Sequence, residues 1–287
     1  MRIDLHTHST ASDGTDAPDV LLREAAGAGL DVIALTDHDT TAGWNRAASA
    51  VPPGLTLVFG AELSGRWYRS EPSIGLHLLA YLFDPGHEEL TAELARVRRS
   101  RDMRAEAIVD HLNADGVTLA MDEVRGLVAG GTVGRPHIAR ALVARGLVGS
   151  VDEAFGPEWL GGRYRLPKTD IDVLTAIRLI GEAGGVSVLA HPMAGSRGHV
   201  LPDALIVSLA GAGLWGIEAD HPDHSPEDAA HTRALARDLG LRVTGSSDYH
   251  GDNKTVRLGA YTTAPDVYED LVSTATGIPP AHGAPKP

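Results

Sequence analysis

From residue 2 to residue 86, apolar blocks of strand length alternate with stretches of helical period. Arg2–Leu5, Asp31–Leu35, Leu55–Phe59 and Leu76–Phe83 read as strands, the last three almost continuously apolar. Between them, Pro18–Leu30 carries Val20, Leu21, Leu22, Ala25 and Ala28 at helical spacing and stops at Gly27 and Gly29. Thr40–Val51 reads as a helix ended by the Pro52-Pro53-Gly54 turn. Strand–helix alternation of this kind predicts parallel βαβ units.

The strand period is lost at Glu88. Glu89–Asn113, Met121–Val128 and Pro136–Ala144 read as helices, the third opened by a proline in its first turn. The alternation then returns, with helices over Val173–Ala183, Leu201–Ala212 and Pro226–Leu239 and strands over Val186–Ala190, Trp215–Ala219 and Leu241–Gly245. This predicts a barrel made from residues 1–87 and 167–276, interrupted by a helical insertion over 88–166. The segment 277–287 (GIPPAHGAPKP) contains four prolines and reads as a disordered tail.

Composition narrows the function. The 287 residues are 43% apolar, enough for a sizeable core, and include no cysteine, so a metal would take only His, Asp or Glu ligands. No uncharged apolar run reaches about 18 residues, and MRIDLHTHS lacks the features of a signal peptide, so a cytoplasmic protein away from membranes is expected. The net charge of −13 and the 5% aromatic content argue against duplex DNA and single-strand stacking platforms. Nothing implies an obligate protein partner. The charge is uneven: residues 88–168 hold 12 basic and 12 acidic side chains, and the remainder carries the whole −13.

Fourteen histidines are many for this length, and their placement matters more than their number. His6 and His8 stand at i, i+2 at the end of the first strand and project to one side. Asp13 follows in a Ser-Asp-Gly turn, His38 lies in TDHD after the second strand, and Glu62 lies in GAELS at the end of the third. His191 follows VSVLA, and Asp248 and His250 follow the last strand in SSDYHG. Such strand ends share one face of a parallel barrel, where active sites are built. His77 starts its strand instead, which implies a reversed strand or a crossing loop. One histidine after a strand is usually a cap or a turn residue. Nine imidazoles and carboxylates on one face, without an intervening Lys or Arg, point to a site for several divalent cations. His87, His111, His199, His231 and His282 read as surface residues, with His221 and His224 at the rim.

At these residues the chain resembles the PHP family, the polymerase and histidinol phosphatase domains. The resemblance rests on DLHTHSTASDG (4–14), ALTDHDT (34–40), LAHP (189–192) and SSDYHG (246–251), with GAELS and HLLAY between them. It implies a distorted (β/α)7 barrel and a site for two or three metals; imidazole and carboxylate donors without thiolate point to divalent ions, Mn²⁺ first, with Fe²⁺ or Zn²⁺ as alternatives. Carried over by position, one metal is held by His6, His8, Glu62 and Asp248, a second by Asp13, His38 and His250, and a third by Glu62, His77 and His191. Aspartate at position 13, the insertion and its GRPH are similar to the members acting on nucleotide phosphates, both 3′,5′-bisphosphate phosphatases and 5′-to-3′ exonucleases for short RNA. Histidinol phosphatase matches less well.

Closely spaced cations lower the pKa of a bridging water and neutralise phosphoryl oxygens, so hydroxide, not a side chain, is the expected nucleophile. No GxSxG or GxxxxGK[ST] is present. Asp37 either orients an imidazole or caps a helix with Thr40. In the register Leu90, Leu94, Val97, Ile108 and Leu112, Arg101 and Arg104 fall on the apolar stripe, where they either pair with internal carboxylates or reach a substrate phosphate. Arg96 and Arg99 read as solvated. In Gly134-Arg135-Pro136-His137, Arg135 and His137 stand at a helix N-terminus, which favours anions, and are expected to grip a phosphate. Arg165, Lys168 and the loop Arg66–Arg69 are weaker candidates for substrate contact. The expected activity is hydrolysis of a nucleotide phosphate monoester. The alternatives are a 5′-to-3′ exonuclease on short RNA and a non-catalytic, metal-stabilised binding module.

Overall fold

The computed structural model describes residues 1–128, 131–195 and 200–285. In chain order the first half runs β1 (Ile3–Thr7), α1 (Pro18–Gly27), β2 (Val32–Leu35), α2 (Trp44–Ala48), β3 (Thr56–Trp67) and β4 (Ile74–Tyr81). The insertion follows as α3 (Glu88–Ala114), α4 (Met121–Arg125), α5 (Arg135–Ala144) and α6 (Val151–Ala154). The second half runs β5 (Ile171–Asp172), α7 (Val173–Glu182), β6 (Val186–Leu189), α8 (Asp203–Gly211), β7 (Gly216–Asp220), α9 (Pro226–Leu239), β8 (Arg242–Gly245), α10 (Pro265–Thr274) and β9 (Ala281–His282).

The sheet follows the path β1-β2-β3-β4-β6-β7-β8, with β5 and β9 attached to β3. A parallel bridge between Thr7 and Tyr249 brings the two ends together, and the His8 N–H donates to the Tyr249 carbonyl at 2.9 Å. The result is a nearly closed, distorted (β/α)7 barrel, as expected. β4 runs antiparallel to both β3 and β6, which accounts for His77. β3 is longer than its apolar block suggested. Its parallel ladder with β2 ends at Phe59, and from Gly60 to Trp67 it pairs antiparallel with β4. Glu62 therefore lies mid-strand, yet just beyond the end of β2, where His38 bridges to it.

Ile33, Leu35 and Leu57 of the sheet pack with Leu21, Leu22, Trp44, Ile177 and Ile180 of the helices in the largest apolar cluster. Leu90, Leu94 and Val97 join that cluster, so the first turns of α3 belong to the barrel. The rest of α3 contributes Ile108 and Leu112 to a separate core with Val124, Ile138, Leu142 and Leu160. The 277–285 segment is not loose: the Ile278 N–H donates to Leu82, the Gly283 N–H to Leu55, and β9 pairs with β3. Its prolines leave those donors free, which composition alone did not reveal. No helix among the described residues is long and apolar enough to cross a membrane.

Candidate metal centre

Glu62 is the hub of the site. Its Oε2 lies 3.2 Å from His6 Nε2, 3.1 Å from His8 Nε2 and 3.1 Å from His38 Nδ1. Its Oε1 lies 2.7 Å from His77 Nδ1 and 3.0 Å from His191 Nε2. Asp248 Oδ1 stands 3.4 Å from His6 Nε2, from His8 Nε2 and from His250 Nδ1. Asp13 faces His38 Nε2 at 3.6 Å and His250 Nε2 at 3.4 Å. All nine ligand candidates are thus neighbours. The contacts cross the position-by-position assignment: His8 reaches both Asp13 and Asp248, His38 both Asp13 and Glu62, and His250 both Asp13 and Asp248.

The donor set fits divalent cations. Ligand atoms of His8, Asp13, His38 and His250 lie within 4.8 Å of one another, as do those of His6, His8 and Asp248, and those of His38, Glu62 and His77. Asp13 Oδ1, His38 Nδ1, Glu62 Oε2 and His77 Nδ1 are buried without a hydrogen-bond partner among the described residues. Buried polar atoms are otherwise almost always satisfied, so four such atoms facing one another point to a missing positive partner.

Hydrogen bonds behind the rings set which nitrogen carries the proton. Ser12 Oγ donates its one proton to Asp37 Oδ1 at 2.6 Å, so at 3.3 Å it can only accept from His8 Nδ1. His6 Nδ1 faces Glu218 Oε1 at 3.3 Å, and His250 Nδ1 faces the Asp248 carbonyl at 2.8 Å. When neutral, each of these three rings therefore turns the Nε2 lone pair into the cluster, the tautomer a ligand needs. Asp37 acts on His8 through Ser12, and neither touches His38 nor caps a helix with Thr40; its other oxygen accepts from Ser9 Oγ.

The buried charges are strongly coupled. Burial favours neutral imidazole, but Asp248 and Glu62 outweigh it and push His8 up to about 9, with His6 moved the same way. Burial wins at His38 and His250, which are held below the usual imidazole range. Burial also opposes ionised Glu62, yet His77, His38 and His6 hold its carboxyl well below the ordinary value.

The chain is similar to known proteins in sequence and in fold. Residues 4–92 match the PHP domain. A 5′-3′ exoribonuclease of Haemophilus influenzae is 34% identical over 90% of this chain and 93% of its own length. The chain belongs to the PHP family. A 3′,5′-nucleoside bisphosphate phosphatase of Chromobacterium violaceum is also 34% identical, covering 86% of this chain and 87% of its own. A crystal structure from Bifidobacterium adolescentis, classed with the metal-dependent phosphoesterases, superposes with a TM-score of 0.88 at 32% identity, covering 96% of each chain.

In this PHP chain the insertion is hydrogen-bonded to the loop that carries His38. Thr132 Oγ1 donates to the His38 carbonyl at 2.9 Å, and Arg98 Nη1 donates to the Asp39 carbonyl at 2.7 Å. Arg101 is buried, with Nε on Asp39 Oδ2 at 2.7 Å and Nη2 on Ser64 Oγ at 2.6 Å, so it pairs with an internal carboxylate. Arg104 differs: its Nε is buried with no hydrogen-bond partner among the described residues. Burial, Arg101 and Arg135 together push its guanidinium down to about 9. Arg135 donates to the Leu160 carbonyl at 3.1 Å and lies over the Phe155 ring. Lys168 pairs with Asp170, yet burial and Arg101 push it down to about 8.

His137 does not join this basic group. Its Nδ1 accepts the Gly134 N–H at 3.0 Å and its Nε2 donates to the Ser12 carbonyl at 2.8 Å, so both nitrogens are committed to backbone. It fastens the insertion to the loop carrying Asp13. Arg96 pairs with Glu93, and Arg99 is exposed. His221 is buried beneath the site, not at its rim, and His224 bonds the Ala219 carbonyl; His199 lies outside the described residues. Sequence reasoning missed Glu218, fully buried in β7 behind His6. Burial opposes its charge, but His6 and His221 hold it down to about 2. Its only sequence signal was an acidic residue inside an apolar strand, GIEAD.

Proposed function

We propose that this PHP protein is a metal-dependent phosphoesterase that hydrolyses a nucleotide phosphate monoester, holding a second phosphate of the same substrate on its insertion. The observation that carries this reading is the convergence of five imidazole nitrogens within 3.2 Å of the two oxygens of Glu62. Divalent cations bound there supply electrophilic charge and lower the pKa of water. His6, His8, Asp13, His38, Glu62, His77, His191, Asp248 and His250 are the residues that would hold them.

Recognition falls to the basic group beside the ligands. Arg104 offers a guanidinium whose Nε has no hydrogen-bond partner among the described residues, and Arg135 and Lys168 add positive charge. A phosphate dianion satisfies such buried cations better than any carboxylate already present, because Asp39 and Asp170 are engaged by Arg101, Arg66 and Lys168. A second reading, exonuclease action on short 5′-phosphorylated RNA, is favoured by the Haemophilus influenzae relative and uses the same groups with a longer substrate.

The test is a panel of a nucleoside 3′,5′-bisphosphate, short 5′-phosphorylated RNAs and p-nitrophenyl phosphate, each with Mn²⁺ and with chelator. Turnover should require metal, and the bisphosphate should be the best substrate; a preference for RNA longer than a dinucleotide would select the second reading. Arg104→Met should lower kcat/KM for the bisphosphate about ten- to a hundredfold, the worth of about 1.5–3 kcal/mol for one charged hydrogen bond. p-Nitrophenyl phosphate has no second phosphate to lose and should be nearly unaffected. Equal loss on both substrates would place Arg104 at the reacting phosphate and overturn the division of labour.

A further inference from the structure

Asp248 is held unlike the other carboxylate ligands. Its backbone sits at φ +50, in the left-handed region, and its two oxygens face different surroundings. Oδ1 is turned to His6, His8 and His250 at 3.4 Å each. Oδ2 is turned away, 3.2 Å from His221 Nε2 and 2.6 Å from Lys254 Nζ. The Asp223 N–H donates to His221 Nδ1 at 3.0 Å, so the proton of this ring is on Nε2 and is donated to Oδ2. Lys254 Nζ also reaches the Asp248 carbonyl at 3.2 Å, gripping the residue at two points.

The chain brings Lys254 back to Asp248 by a single 3-10 turn, Gly251–Asn253. Within that turn Asn253 Nδ2 donates to the Asp13 carbonyl at 2.6 Å, and the Lys254 N–H donates to Gly251 at 3.2 Å. One short segment therefore touches two ligand-bearing loops. A free carboxylate can ligate through one oxygen, through both, or bridge two ions. With Oδ2 engaged by two donors, the oxygen that faces the cluster is Oδ1.

We propose that Lys254 is a positioning residue that, with His221, fixes Asp248 as a one-oxygen ligand directed at the His6–His8 position. This rests on the metal-site reading given above. Donors behind a ligand typically alter metal affinity by about ten- to a hundredfold when removed. The ammonium also repels an incoming cation, which acts in the opposite direction. Lys254 is 29% exposed at the side chain, so water screens that repulsion, whereas the orienting contact is short and direct. Orientation therefore prevails, and loss of Lys254 weakens binding.

The experiment titrates Mn²⁺ into chelator-stripped full-length protein and follows free Mn²⁺ by electron paramagnetic resonance. Lys254→Met should weaken one class of site about tenfold or more, while the site shared by His38, Glu62 and His77 keeps its affinity. Lys254→Arg, which restores a donor, should return affinity to within a few-fold of wild type. Thermal melting in chelator checks that Lys254→Met is folded, and Lys254→Gln takes its place if it is not. Mn²⁺ binding by the variant equal to or tighter than wild type overturns the proposal. Failure of the wild-type protein to bind Mn²⁺ would overturn the metal reading itself, a distinguishable result.

Discussion

Single side chains divide here into those whose position was legible and those whose partners were not. His6, His8, His38, His191, Asp248 and His250 could be placed because each closes a strand, and strand ends of a barrel share a face. His137 could not, since no local pattern signals that its ring bonds the carbonyl of Ser12, 125 residues away. Lys168 is a similar case, and it makes a pH-dependent prediction. Burial and Arg101 push it down to about 8, against an unfolded value of about 10.4. It is charged below about pH 8 and neutral above, so its share of anion binding is present at low pH and lost as pH rises through 8. Sulfate keeps one charge across this range and serves as the probe. Its affinity should fall between pH 7 and 9 by isothermal titration, and Lys168→Met should bind more weakly at pH 7 and show a flatter profile. Identical profiles would remove Lys168 from the anion site. Stability has the opposite sign: between about 8 and 10.4 the folded chain has shed a proton that the unfolded chain keeps, so Lys168 favours folding increasingly as pH rises.

Elements were legible where one period persisted and not where a strand changed partners. The parallel units came through because their apolar blocks are bounded by glycine and proline. β3 did not, because its ladder turns from parallel to antiparallel at Gly60, and sequence period is the same in both. The turn after β8 shows how an element can tie ligands together. Gly251 has φ +64, and a Cβ there would lie 1.9 Å from Thr15 Oγ1. Gly251→Ala thus adds left-handed strain and a clash between the segment carrying His250 and the loop after Asp13. It should cost about 1–3 kcal/mol, the usual range for forced overpacking, read by thermal or urea denaturation in chelator. Thr15→Ala in the same chain removes the clashing hydroxyl and should recover part of that cost, a non-additivity expected of residues in contact. Strict additivity would mean that the loss at position 251 is backbone strain alone.

At the scale of the molecule, the acidic balance lies in the barrel and the neutral balance in the insertion, and the cores divide nearly along the same line. The barrel gathers the carboxylates and imidazoles of the candidate metal site, whereas the insertion builds a separate apolar core. Stability should therefore respond to metal mainly through the barrel. A ligand binding only the folded state at a hundred times its Kd adds about 2.7 kcal/mol, so Mn²⁺ should raise the melting temperature of wild type, and Glu62→Gln should lose most of that rise. Leu142 is fully buried in the insertion core, and Leu142→Ala should cost about 2–5 kcal/mol there. Because Leu142 packs in the insertion core and not in the barrel cluster, its variant should melt earlier yet keep the Mn²⁺-induced shift by scanning calorimetry. Thr132 and His137 do fasten the insertion to Ala11 and Ser12, which defines the opposing outcome. If Leu142→Ala abolishes the shift, packing within the insertion holds the Asp13 loop in place, and the two cores act as one unit in binding metal.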